Sequence, residues 1–176
     1  MKVAVHVQAR GVYKLPAALS AEIGRIVVHW AYYEHYLTRL VWKLLNLTQA
    51  QGRFAVREPS AELRLDIIRD LAALKGPALD KGLLSSMRTR TEAAKSMRDL
   101  MAHGGWIRDR LDGWHVQYAR GTWKQNNIKN GPKGSRKVAP EFTPVTPERL
   151  RAITADIEAL IQDAKKLAKV IAPDES

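Results

Sequence analysis

The stretch IGRIVVHWAYYEHYLTRLVWKLLN, residues 23–46, decides the architecture. Ile23, Ile26, Val27, Trp30, Leu37, Leu40, Val41 and Leu44 recur at intervals of three, four and seven residues. That is the period of one face of an α-helix. The spacing predicts a long amphipathic helix over about residues 17–46. Arg25, His29, Glu34, Arg39 and Lys43 break the apolar run, so the helix is expected to pack in a bundle rather than cross a membrane.

Working outward, Thr48 to Pro59 reads as a polar break. A second helix is predicted over about 60–75, with Leu63, Ile67, Leu71 and Leu74 as its stripe and Gly76-Pro77 as its stop. A third is predicted over about 78–103, carrying Leu83, Leu84, Met87, Ala94, Met97 and Met101. It should end at Gly104-Gly105, because glycine enters the left-handed cap conformation without steric cost. After that pair the pattern alternates, and Asp112-Gly113 between two alternating runs predicts a β-hairpin over about 105–120. Asn126 to Gly134 reads as a mobile excursion, followed by a short extended segment from Lys137 to Val145. The last helix, about 147–171, has a complete start signal: Thr146 as cap, Pro147 at the first position and Glu148 in the first turn. Val3, Val5 and Val7 suggest one more strand near the hairpin. The expected fold is mainly α, a bundle of about four long helices with a small antiparallel sheet after the third, in one domain over 1–176.

Composition narrows the function. There is no cysteine, which excludes disulfides, thiolate catalysis and Cys-based zinc sites. The histidines at 6, 29, 35, 103 and 115 are scattered, so no metal site and no cofactor are expected. Phosphate-binding loops, dinucleotide fingerprints, nucleophile elbows and zincin motifs are missing from the sequence. With neither a signal-like apolar run nor a membrane span, the expected location is the cytoplasm. The net charge of +11 attracts polyanions, and RNA or another nucleic acid is the natural partner. Lys124, Lys129, Lys133, Arg136 and Lys137 fall in a stretch without acidic residues, beside Trp123. Such a basic loop, about 124–137, is expected to bind phosphates of any sequence and to offer a ring for stacking bases.

One segment carries candidate chemistry: Arg98-Asp99-Leu100-Met101-Ala102-His103, followed by Gly104. It resembles the Arg-x4-6-His signature of the HEPN superfamily. The resemblance implies a HEPN-like bundle acting as a homodimer, and a metal-independent endoribonuclease in which two copies of the motif line one cleft. It further implies a toxin or defence role, with an antitoxin protein as a possible partner. Cleavage would use the RNA's own 2′-hydroxyl, with His103 moving protons and Arg98 holding the phosphate. Asp99 stands where the family most often has Asn. Glu34, on the stripe of the first helix, is a candidate to orient Arg98 or His103; a carboxylate reaching water from the edge of the stripe is the other reading. On an unbroken helix Arg98 and His103 point about 140° apart, so unwinding at the glycines is expected to turn His103 towards the arginine. Arg110 and His115 match the spacing too, but they straddle the hairpin turn, the wrong setting for this family. The position two after His103 is Gly105, so the tyrosine that some family toxins offer to a modifying partner enzyme is missing. The alternative is a non-catalytic HEPN-like dimer that binds nucleic acid or a nucleotide in the same cleft. An interaction protein docking through its hairpin would explain the aromatics but not the motif.

Overall fold

Helix α1, Ala17–Leu44, is the spine of the molecule. Its end is fixed locally: Asn46 takes a φ of 54°, the Leu47 N–H donates to the Trp42 carbonyl at 2.9 Å, and the Asn46 N–H donates to Lys43 at 3.0 Å. This paired closure satisfies carbonyls that a helix end leaves bare, and Asn tolerates the left-handed conformation it needs. The computed structural model describes residues 14–55, 59–75, 77–109, 113–117 and 142–173.

The polar break after α1 contains a helix that the apolar pattern does not announce, α2, Gln49–Ala55. Thr48 and Gln51 start it reciprocally: the Thr48 N–H donates to Gln51 Oε1 at 2.9 Å and the Gln51 N–H donates to Thr48 Oγ1 at 3.3 Å. Helix α3, Ala61–Lys75, follows with the Ser60 hydroxyl accepting from the Leu63 N–H. Helix α4, Lys81–His103, starts three residues later than the sequence suggests, because Asp80 accepts from the Gly82 and Leu83 N–H groups. Helix α5, Pro147–Ile171, is capped by Thr146 as expected.

Among the described residues the sheet is three-stranded and antiparallel, in the order β1-β2-β3, with β1 Gly105–Asp109, β2 Gly113–Gln117 and β3 Phe142–Val145. The hairpin over 105–117 is formed, with Asp109 opposite Gly113, and Gly113 has a φ of 87° that a side chain would strain. The candidate strand at 3–7 lies outside the described residues, as do Lys137 to Glu141 of the expected extended segment. No helix among the described residues is long and apolar enough to cross a membrane.

A single cluster of buried side chains joins α1, α3, α4, α5, β2 and β3. Helix α1 packs on α5 more extensively than any other pair of described elements, and Ile26, Leu37 and Leu40 of α1 and Ile157, Leu160 and Leu167 of α5 are all buried in this cluster. Val116 and Val145 turn the inner face of the sheet onto the bundle. Two stripe assignments are corrected. Val27 is 43% exposed. In α3 the buried face is Ala61, Leu65, Ile68 and Ala72, with Ile67 and Leu71 at its margin and Leu63 and Leu74 facing outward.

Two of the buried polar groups among the described residues cross-link helices. Tyr33 hydrogen-bonds Thr91 of α4 at 2.7 Å, and burial pushes its hydroxyl up to about 12 even though that bond pulls the other way. Asp163 of α5 accepts from Arg90 of α4 and, at 2.7 Å, from Lys166. Burial alone would raise the Asp163 carboxyl, but these two cations outweigh it and hold it below the ordinary 3.8. A carboxyl lowered on folding stabilises the protein above its unfolded pKa and loses that contribution as pH falls through the folded value. Asp163→Asn should therefore cost about 2 kcal/mol at neutral pH. In urea unfolding across a pH series, the gap between wild type and variant should narrow as pH drops below 3.8.

Candidate functional site

Helix α4 stays helical to His103, and the expected unwinding is not found. Gly104 has φ −74° and ψ 153°, an extended conformation rather than a left-handed cap, and leads straight into β1. Its N–H still donates to the Leu100 carbonyl, closing the last turn. The junction is held from the sheet side as well, since the Trp106 indole N–H donates to the Met101 carbonyl at 3.3 Å. His103 thus sits exposed on the final turn. Arg98 lies five residues earlier, so within one chain the two side chains diverge by about 140°.

Arg98 is half-buried, its side chain 22% exposed. Its guanidinium lies 5.2 Å from the centroid of the Trp30 ring of α1, within cation–π range. One Nη pairs with Asp99 Oδ1 at 2.8 Å, and Nε is buried with no hydrogen-bond partner among the described residues. Trp30 in turn meets Tyr33 edge-on, centroids 5.7 Å apart. Arg98 therefore caps an aromatic column that continues through Tyr33 to Thr91. Trp30 is the site residue that sequence reading assigned only to the core; a tryptophan in an apolar stripe gives no sign of which cation will cover it.

Asp99 lines a cleft of about 560 Å³ between α3, α4 and β3, together with Glu62, Glu92, Lys95 and Thr143. Glu62 is buried and bonded to Lys95 at 2.9 Å. Burial pushes its carboxyl up, but hydrogen bonds from its own backbone N–H, Lys95 and Ser60 outweigh this and leave it lowered. The three carboxylates of this cleft are each paired, Glu62 with Lys95, Glu92 with Arg88 and Asp99 with Arg98, so its lining offers no unpaired cation to a phosphate.

Glu34 is placed elsewhere. Its carboxylate lies 3.4 Å from Nη1 of Arg64, a buried arginine on α3, and no contact joins it to Arg98 or His103 among the described residues. The reason is the turn of α1: Trp30 takes the position facing α4, and Glu34 comes round towards α3. Asp99, beside Arg98 on α4, supplies the carboxylate that Arg98 uses. Lys124, Lys129, Lys133, Arg136, Lys137 and Trp123 lie outside the described residues, as does Arg110. His115 stands in the middle of β2, opposite Ile107 and Pro144, with both ring nitrogens buried and unpartnered among the described residues. No group of three or more His, Asp or Glu side chains among the described residues is arranged to hold a metal ion.

The chain matches no family pattern, no curated protein and no solved structure.

The Glu34–Arg64 pair generates a test of its placement. Glu34→Gln should lower stability by roughly 1 to 3 kcal/mol, because it leaves a buried guanidinium without its counter-charge. Combining it with Arg64→Gln should cost less than the two single losses added together, since the pair is removed as a unit. Strict additivity in urea melts would place the two side chains apart.

Proposed function

We propose that the protein is a metal-independent endoribonuclease of HEPN type, working as a homodimer at a composite site. The observation that carries this reading is the state of the motif at the end of α4: His103 is solvent-exposed, while Arg98 is backed by the Trp30 ring and aligned by Asp99. A guanidinium held in this way is pre-organised to receive a phosphate on its remaining donors. Since Arg98 and His103 diverge on one helix, convergence requires a second copy whose α4 supplies the complementary member. The outward side of α1 offers apolar surface for that contact in Val27, Val28 and Tyr32, 43%, 53% and 59% exposed. The net charge of +11 favours a polyanionic substrate.

In the proposed reaction the 2′-oxygen attacks the adjacent phosphorus, a 2′,3′-cyclic phosphate forms, and the bond to the 5′-oxygen breaks. His103 takes the 2′-hydroxyl proton as base. Its counterpart in the second copy, protonated, gives a proton to the departing 5′-oxygen, leaving a 5′-hydroxyl. Arg98 balances the charge that grows on the phosphoryl oxygens. An antitoxin partner and a toxin or defence role belong to this proposal.

The engagement of Arg98 with Trp30 and Asp99 favours a second reading, a non-catalytic dimer that binds nucleic acid and uses the arginine structurally. One experiment separates the two: purified protein with total RNA in excess chelator, alongside light scattering. The ribonuclease reading expects a dimer whose cleavage falls about 10²- to 10⁴-fold in His103→Ala with little change in melting temperature. Arg98→Ala should lose both cleavage and part of its RNA affinity. Undiminished cleavage by His103→Ala, or a monomer that cleaves, would overturn the mechanism. RNA binding by the wild type with no cleavage would establish the second reading.

A further inference from the structure

A second cleft, of about 610 Å³, opens between α1, α2 and α3. Glu34, His35, Thr38, Trp42, Arg53 and Arg64 are among its lining residues. We propose that it binds a small phosphomonoester. Arg64 carries the argument. It is 6% exposed, and its Nε and Nη1 are both buried without a hydrogen bond among the described residues. The Glu34 carboxylate is near, but at 3.4 Å its contact with Nη1 is an ion pair rather than a hydrogen bond. A guanidinium has five N–H donors, and burying them unmatched is costly. Indole Nε1 of Trp42 is a further buried donor in the same wall with no acceptor among the described residues.

The unmatched groups are therefore donors, and acceptors must come from what enters the cleft. Arg64 and Arg53 outnumber Glu34 as fixed charges, so the favoured entrant is an anion. A phosphate suits the wall better than a carboxylate, because its several oxygens can meet Arg64, the Trp42 N–H and Arg53 together. The volume lies in the range of small-molecule sites and exceeds what a bare phosphate fills, leaving room for an organic group against Ala31, Val41 and Pro59. Helix α2 shapes this wall. Gly52 packs so closely on Trp42 that a Cβ there would fall 2.5 Å from the indole ring, which fixes the ring in place. The site does not depend on the cleavage proposed above, since Arg98 and His103 line neither of the two clefts.

The test uses the full chain, with thermal shift and tryptophan fluorescence titrations at constant ionic strength. The probes are phenyl phosphate, inorganic phosphate, acetate and total RNA. Phenyl phosphate should bind saturably with a Kd below about 1 mM, inorganic phosphate more weakly, and acetate not measurably. Arg64→Lys keeps the charge but loses the fork, and should weaken phenyl phosphate at least about tenfold. Arg53 is exposed, so Arg53→Gln folds normally and decides the matter if Arg64→Lys does not; it should weaken binding about threefold or more. Lys169→Gln, an exposed charge on α5, should leave binding unchanged. No saturation by either phosphate up to about 10 mM would overturn the proposal. So would equal losses in Lys169→Gln and Arg53→Gln, which would mark general charge attraction. Protection by RNA alone, with none by phenyl phosphate, would overturn the small-ligand assignment as well.

Discussion

A helix of 28 residues with Ile26, Trp30, Tyr33, Leu37, Leu40 and Leu44 along its length cannot be covered by one neighbour. The buried positions sweep around the axis, so α5 lies along most of the face while α3 and α4 close its two flanks. What each flank receives is then set by the rotation of α1. Trp30 and Tyr33 meet α4, where Arg98 covers one ring and Thr91 binds the hydroxyl of the other. Glu34, a turn beyond Trp30, meets Arg64 on α3. Both of these polar contacts are consequences of covering α1. They face different flanks because residues four apart on a helix are offset by about 40°.

This division also explains why the motif at the end of α4 is divided. A continuous helix holds residues five apart on different faces, and nothing in α4 relaxes that constraint before Gly104. The backbone leaves His103 by extending into β1, and the Trp106 indole keeps that exit in one direction. Arg98 is restrained from the opposite side by a ring and a carboxylate. The pair is therefore rigid in its separation, which makes the second copy a requirement of the proposed chemistry rather than an embellishment.

Much of the architecture was legible wherever a local signal coincided with a strong period. Thr146-Pro147-Glu148 marks the start of α5, and Leu150, Ile153, Ile157, Leu160, Ala164 and Leu167, which follow it at helical spacing, are all buried. The hairpin followed from alternation around Asp112-Gly113. Helix α2 was missed although Thr48 and Gln51 spell a capping box, because its seven residues carry no apolar stripe. The face of α3 was misjudged for a related reason. Leu63, Ile67, Leu71 and Leu74 outweigh Ala61, Leu65, Ile68 and Ala72 in hydrophobicity, yet the second set is the buried one. Both sets are valid helical faces, and only the neighbour selects between them. For the site, the type and spacing of Arg98 and His103 were readable. The partner of Glu34 was not, since a carboxylate on a stripe gives no indication of which basic residue, thirty positions on, will turn towards it.

Pro144 sits in β3, at one margin of the sheet, and has no N–H to offer a further strand. Its carbonyl is also occupied, accepting from Arg149 Nη1 at 3.0 Å. A donor that does not exist and an acceptor already taken lie side by side on the same edge. Another chain adding itself to this sheet in register would find neither bond of the ladder at Pro144, which disfavours strand addition along β3. Among the described strands the sheet is thus asymmetric as a template, with β1 the opposite margin.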